Sequence, residues 1–463
     1  MLRSCSPLRD QCPLVSPTGP LRGVRVASVD PLLTSNEAAL ALRVSQKTVL
    51  RLIRSGRLPA EKVGRSWRIR ASDLPCNRSP GISDVVYLDD NASNPMHPAV
   101  ADAMTAAMQN LSGNASSSHT AGVLARSAVE DARGQLAELL DVAPSELVFT
   151  SGATESNNLF LRGFPYATGK NRVIISAGEH ASISEVAHEL QAEGIIDLSV
   201  VPLLSSGQLD LEAFAALLDD KVAVVSIVGA NSETGVISPL AEVVDLAHGV
   251  GAVVHSDVTQ LAGRTELNLA DLRLDAVSLS AHKMNGPQGV GALFARRSLL
   301  RRLRSLNVGG GHENGLRSGT YNTAGIVGMG LAATLAANPA DIEHNQRMRD
   351  LLQRQLTTIP DVVVHGEHSQ RLPNTTNLYF AGAPGDIVLA RTPGVAASIG
   401  SACHAGAIDP SPTLLAMGLD RDIASSSIRF STTRFTTATE IEKASQAVLK
   451  TVLEVRAQSQ EVA

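Results

Sequence analysis

Cysteine is scarce in this chain. Among 463 residues only Cys5, Cys12, Cys76 and Cys403 occur, and no two form a C-x-x-C pair. That spacing excludes both a cysteine zinc site and a disulfide framework, and a reducing cytoplasm is the compartment expected for such a chain. Long apolar runs are absent too. No window holds eighteen consecutive apolar residues, which excludes a conventional membrane-spanning helix. The first thirty residues lack the apolar core of a secretory signal. Their Arg and Ser content with few acids also suits an organelle transit peptide, but a loose N-terminal tail accounts for it equally. Lysine is rare after residue 80, where only Lys170, Lys221, Lys283, Lys443 and Lys450 remain.

What is present is a globular composition, enough for two to four compact domains, with charge unevenly placed. Residues 1–80 carry fourteen Lys and Arg against five Asp and Glu, a balance of +9, whereas the remainder carries −14. This asymmetry reads as a basic module joined to an acidic enzyme. Residues 1–30 read as a flexible tail, 31–74 as a small helical module and 75–85 (Pro, Gly and Ser) as a linker. Within the module, Thr34-Ser-Asn-Glu37 fits a capping box that starts one helix. Residues 46–54 are expected to form a second helix that Gly56 ends. A hairpin then runs through Lys62, Gly64 and Trp67 to Ile69. Lys47, Arg51 and Arg54 on or beside the second helix, with Arg65, Arg68 and Arg70 on the hairpin, are candidates for neutralising phosphates.

After residue 85, apolar runs at 146–150, 172–176, 222–228, 251–257 and 275–280 alternate with periodic segments such as 211–218 and 239–248. The alternation predicts an α/β domain with a mostly parallel sheet. Ligands of such sheets sit beyond the carboxyl ends of the strands. Three of those ends stand out. The first run leads into Ser151-Gly-Ala-Thr154, a small hydroxyl-rich turn suited to an anion at a helix start. The 251–257 run ends at Asp257, a carboxylate that needs a cationic partner. The 275–280 run ends at Ser280-Ala-His282-Lys283. A lysine directly after a buried strand can lose pKa by desolvation and act as a nucleophilic amine.

Residues 32–74, LLTSNEAALALRVSQKTVLRLIRSGRLPAEKVGRSWRIRASDL, resemble the excisionase-like winged helix-turn-helix domains. That resemblance implies DNA binding, with the second helix in the major groove and the hairpin as the wing. Residues 86–460 resemble the cysteine desulfurases of the class V aminotransferase superfamily. The matching stretches are VYLDDNAS (86–93), GNASSSH (113–119), FTSGATESNN (149–158), EHASI (179–183), ETGVI (233–237), HSDVTQ (255–260), SAHK (280–283), GGGHENGLRSGT (309–320), SIGSACHAG (398–406) and SSIRFS (426–431).

The second resemblance implies the fold of a type I pyridoxal-phosphate transferase. Its large domain would be 97–335, and its small domain 86–96 plus 336–463. It implies that Lys283 holds pyridoxal 5′-phosphate covalently, Asp257 pairs with its pyridinium nitrogen, and His180 stacks on the ring and relays protons. Gln260 and Ser232 would lie by the phenolic oxygen. Ala153, Thr154, Ser280 and His282 would hold the phosphate. Thr320 would reach the phosphate of a neighbouring subunit, implying a homodimer. Arg429, Asn114 and Asn91 would bind the substrate L-cysteine, and Cys403 would take its sulfur as a persulfide for a protein acceptor. No metal is implied. The chain departs from the pattern at Ser232 (usually Asn), Val258 (Ala), Ala281 (Gly) and Ala115 (Pro). RLPNTTN (371–377) and His404 after the cysteine are similar to selenocysteine lyases, so a selenium-directed lyase is a second expectation. A DNA-binding regulator with a non-catalytic cofactor domain is a third.

Overall fold

The computed structural model describes residues 32–35, 37, 53, 60–64, 66–70, 85–167, 169–336, 338–400 and 410–462. The chain divides into two compact units, 1–81 and 82–463.

In the first unit, β1 (Leu32–Thr34) and β2 (Glu61–Val63) both pair antiparallel with β3 (Ser66–Arg70). The β2–β3 hairpin turns at Gly64, whose φ of 63° is one that glycine adopts without strain. Lys62 opposes Trp67 across it, its ammonium 6.0 Å from the indole centroid. The capping box forms as its sequence predicts: Thr34 N donates to Glu37 Oε2 at 2.7 Å, and Glu37 N donates to Thr34 Oγ1 at 3.2 Å. Ser35, Glu37 and Ile53 are helical, and Ile53 and Ile69 are buried. Strand β1 was not anticipated, because three residues carry too short a pattern to read. Of the expected DNA contacts Arg68 is half-buried, with Nη1 donating to Trp67 O at 3.3 Å. Lys47, Arg51, Arg54 and Arg65 lie outside the described residues, as do the tail and nearly all of the linker.

The second unit begins with the short strand β4 (Val86–Tyr87). It is built on a seven-stranded sheet of β5 (Leu147–Thr150), β6 (Arg172–Ser176), β7 (Asp197–Val201), β8 (Val222–Ser226), β9 (Val253–Asp257), β10 (Ala276–Ser280) and β11 (Gly291–Ala295). The spatial order is β5-β11-β10-β9-β8-β6-β7, with β11 alone running against its neighbours. Its central strands are buried along almost their whole length because helices cover both faces. Helices Thr120–Leu140, Leu240–Gly249 and Thr323–Ala336 supply one core, through residues such as Leu136, Val243 and Met329. Helices Ala153–Gly163 and Ala181–Ala192 supply the other, through Phe160 and Val186.

A smaller antiparallel sheet has the order β12 (Val362–Val364), β13 (Thr375–Phe380), β15 (Ser427–Ser431). Between the last two in sequence lies β14 (Val395–Ala396), which pairs parallel with β4. Helices Pro339–Leu356 and Ala438–Val462 pack here, and Leu88, Leu352, Phe430 and Val448 share one core. The stretch around residue 88 therefore joins the C-terminal layer. Among the described residues no helix is long and apolar enough to cross a membrane.

Candidate active site

The carboxyl ends of β5, β9 and β10 open into a cavity of about 600 Å³, closed on the other side by Asn91–Ser93 and Arg429. It gathers Ala153, Thr154, His180, Ser232, Asp257, Gln260, Ser280, His282, Lys283, Asn91 and Arg429. These residues come from elements far apart in sequence. Their convergence follows from the parallel sheet, which places every strand-to-helix turn at one edge.

Lys283 ends a short 3₁₀ turn (Ala281–Lys283) after β10. Its Nζ donates to Ala92 O at 2.7 Å and to Asn91 O. Burial pushes its amine down to about 7; Arg264 and then Arg429 push the same way, against Asp90 and Asp89. An amine in that range is largely deprotonated just above neutral pH and can serve as nucleophile and base. Beside it, burial and then Lys283 hold His282 down at about 4, so the ring stays neutral, with Nδ1 3.1 Å from Ser93 Oγ.

Asp257 is 5% exposed at the end of β9. Its Oδ2 accepts from Asn157 Nδ2 at 2.8 Å and its Oδ1 from Thr259 N at 3.0 Å. These neutral donors orient a carboxylate without neutralising it, which leaves it able to hold a buried cation. His180 caps helix Ala181–Ala192, its Nδ1 accepting from Ser182 N at 3.1 Å. A ring nitrogen that accepts carries no proton, so with Nδ1 in that role the ring's N–H is at Nε2.

The anion end is the start of helix Ala153–Gly163. No side chain caps it, and Gly152 enters it at φ 155°. A Cβ on Gly152 would stand 3.6 Å from Ser280 Oγ. Backbone N–H groups and the positive end of the helix dipole thus meet a serine hydroxyl, a fit for phosphate.

At the opposite wall Arg429, 4% exposed on β15, donates from Nη2 to Asp89 Oδ1 at 2.6 Å and from Nη1 to Ser232 O at 3.1 Å. Its buried Nε has no protein partner. Asn91 Nδ2 donates to Ser232 O and Thr375 Oγ1, both at 2.9 Å.

Two expected residues are not in this cavity. Thr320 is exposed, away from its own chain's pocket. Asn114 is also exposed, and its Oδ1 accepts from Ser116 N at 2.9 Å; the loop before helix Thr120–Leu140 folds on itself instead of entering the pocket. Cys403 lies outside the described residues. The residues flanking its segment are anchored to the site: Ser398 N donates to Arg429 O at 3.1 Å, and Ser411 Oγ donates to the Glu233 carboxylate. A Cβ on Gly400 would lie 3.5 Å from Ser411 Cβ, so the segment's two ends meet.

Sequence reasoning overlooked Asn157, Asp90 and Arg264. Asn157 sits within a quoted motif without an assigned part. The pair Asp90 and Arg264 is 174 residues apart in the chain, and only the fold brings it together.

Residues 86–444 match the aminotransferase class-V family, and residues 32–74 match a helix-turn-helix domain. A cysteine desulfurase from Rattus norvegicus is 36% identical over 406 residues, 85% of this chain and 90% of its own. The cysteine desulfurase IscS from Dechloromonas aromatica (strain RCB) is 40% identical over 366 residues, 78% of this chain and 90% of its own. A solved NifS-like protein superposes with a TM-score of 0.75 at 32% identity, covering 80% of this chain and 99% of the other. The chain belongs to the class-V aminotransferase family, in its cysteine desulfurase branch, and carries an N-terminal helix-turn-helix module.

Proposed function

We propose that the enzyme binds pyridoxal 5′-phosphate in this cavity and transfers sulfur from L-cysteine to Cys403, releasing L-alanine. The observation that carries the reading is the meeting of four complementary groups in one cavity: the amine of Lys283, the carboxylate of Asp257, the uncapped start of helix Ala153–Gly163 and the guanidinium of Arg429. Pyridoxal phosphate has a carbonyl for the first, a ring nitrogen for the second and a phosphate for the third. When bound, it supplies an electron sink for charge developing at the substrate Cα.

The remaining chemistry belongs to the chain. Arg429, which lines the cavity, takes the substrate carboxylate through its guanidinium. Lys283, neutral at Nζ, receives the Cα proton. His180 covers the cavity with Nε2–H towards it. The Cys403 thiolate attacks the substrate sulfur: one S–S bond forms, the Cβ–S bond breaks, and Cβ gains a proton. A thiol and cysteine become a persulfide and alanine, with no outside oxidant required. The persulfide then passes to an acceptor protein.

The exposed Thr320 suits a homodimer in which each chain completes its partner's phosphate site. The basic module is read as a DNA-binding attachment, and the cytoplasm as its compartment. Mass spectrometry of the full-length protein after incubation with L-cysteine tests the core of the proposal. An adduct of one sulfur on Cys403 is expected, and its absence from cofactor-loaded protein would overturn the assignment. Alanine release from selenocysteine with none from cysteine would favour the selenium-directed alternative.

A further inference from the structure

Arg264 has no part in the scheme above, yet it lies 4% exposed directly behind the site. Its Nη2 donates to Asp90 Oδ2 at 2.9 Å and to Asn94 Oδ1 at 3.1 Å, while Nη1 donates to Gln260 Oε1. Asp90 is itself 2% exposed, and Asn374 Nδ2 adds a second donor to its Oδ2 at 3.2 Å. Burial pulls the Asp90 carboxyl up and the Arg264 guanidinium down. A guanidinium does not surrender its proton in proteins, and its contact with Asp90 keeps the carboxylate as counterion.

A guanidinium donates only. The oxygen of Gln260 must therefore face Arg264, and the amide cannot flip. Its Nε2 donates to Asn91 O at 3.1 Å, which leaves the other N–H as the group Gln260 can offer the cavity it lines. Asn91 O is also an acceptor for Lys283 Nζ. A continuous path thus runs from Arg264 through Gln260 and Asn91 O to the reactive amine.

We propose that Arg264 is a positioning residue for the desulfurase reaction: with Asp90 as counterion it turns the donor end of Gln260 to the cavity and holds the seat of Lys283. The inference rests on reading Lys283 as the cofactor-holding lysine. Electrostatics agree with the geometry. Arg264 and Arg429 oppose a proton on Lys283, Asp90 and Asp89 favour one, and Arg264 is the largest of these charges in effect. His282 is neutral beside it, and Asp257 and His180 face the same cavity.

The test uses full-length protein stripped of cofactor. It is treated with a trace of acetic anhydride from pH 6 to 10, and acetylation of Lys283 is measured by peptide mass spectrometry against the exposed Lys450. The wild-type midpoint is expected near 7. In D90N/R264Q, which removes both charges together, the midpoint should rise by about one unit, with roughly fivefold less acetylation at pH 7. D90N alone leaves Arg264 unopposed and should move it the other way, so a failure of the double variant to fold leaves a second measurement. R264K keeps the charge but not the fork. Its midpoint should stay near wild type while kcat of the loaded enzyme falls several-fold at unchanged KM. Midpoints that stay put in folded D90N and D90N/R264Q would overturn the proposal. A Lys283→Ala enzyme that still holds cofactor and turns over would instead overturn the reading of Lys283, a separate outcome.

Discussion

Asp257 and Glu179 are two buried carboxyls near one cavity with different surroundings. Asp257 receives two neutral donors and lines the cavity. In Asp257→Asn the amide oxygen can still accept from Asn157, at the cost of the Thr259 N contact to Oδ1, and the charge is lost. Alanine release should fall about 100-fold, in keeping with loss of one preorganised electrostatic contact, and cofactor content measured alongside separates rate from loading. Glu179 places Oε1 under the donors Ser176 Oγ and Val228 N, while its Oε2 is sealed from solvent without a partner. Burial raises this carboxyl to about 8, so the folded state keeps a proton that the unfolded chain releases from its ordinary value of 4.5 upward. That stabilisation is complete below about 4.5 and is lost as pH rises through 8. Glu179→Gln should flatten the profile, raising stability over wild type by on the order of 4 kcal/mol at pH 8 and by about 1 kcal/mol or less at pH 5. Urea midpoints at the two pH values check this; parallel profiles would contradict it.

At the scale of elements, the β5–Ala153–Gly163 turn shows what was legible and what was not. Runs such as 222–228 and 275–280 read directly as buried strands, since apolar residues without alternation need cover on both faces. The ends of the 275–280 and 251–257 runs point to Lys283 and Asp257. The two-residue strands β4 and β14 had no such pattern, and neither did β1. Side-chain partners were illegible for another reason: Asn157 meets Asp257, and Arg264 meets Asp90, only after the crossovers are wound. The conformation of Gly152 was equally hidden, although its motif was not. At φ 155° its backbone takes a conformation that residues with a side chain rarely adopt, although a Cβ would meet Ser280 Oγ at no less than ordinary contact distance. Gly152→Ala should distort the helix start and weaken cofactor binding about tenfold or more, with a smaller loss of thermal stability. Titration of stripped protein with pyridoxal phosphate, read by absorbance, measures it, and unchanged affinity would remove the helix start from the phosphate site.

For the whole molecule, the decisive feature is the separation of charge between two units, +9 in residues 1–80 and −14 beyond. Each unit has its own buried residues and its own sheet, so chemistry and nucleic-acid affinity should be separable. A chain starting at residue 82 is expected to release alanine at the rate of the full chain and to leave duplex DNA unretarded. The full chain should bind DNA at low salt, because cationic side chains that neutralise phosphates release condensed counterions. The acidic second unit makes retardation a demanding test, since net charge alone would keep the molecule off DNA. Binding must therefore come from a local cationic face, and its salt dependence counts the phosphates involved. The double variant Arg51→Ala/Arg54→Ala should lower the slope of log K against log salt by about two while desulfurase activity stays as it was. A full chain that shows no salt-sensitive binding would reduce the helix-turn-helix module to a contact surface for protein. An unchanged slope in the double variant would move the phosphate contacts off the second helix and onto the hairpin that carries Arg65 and Arg68.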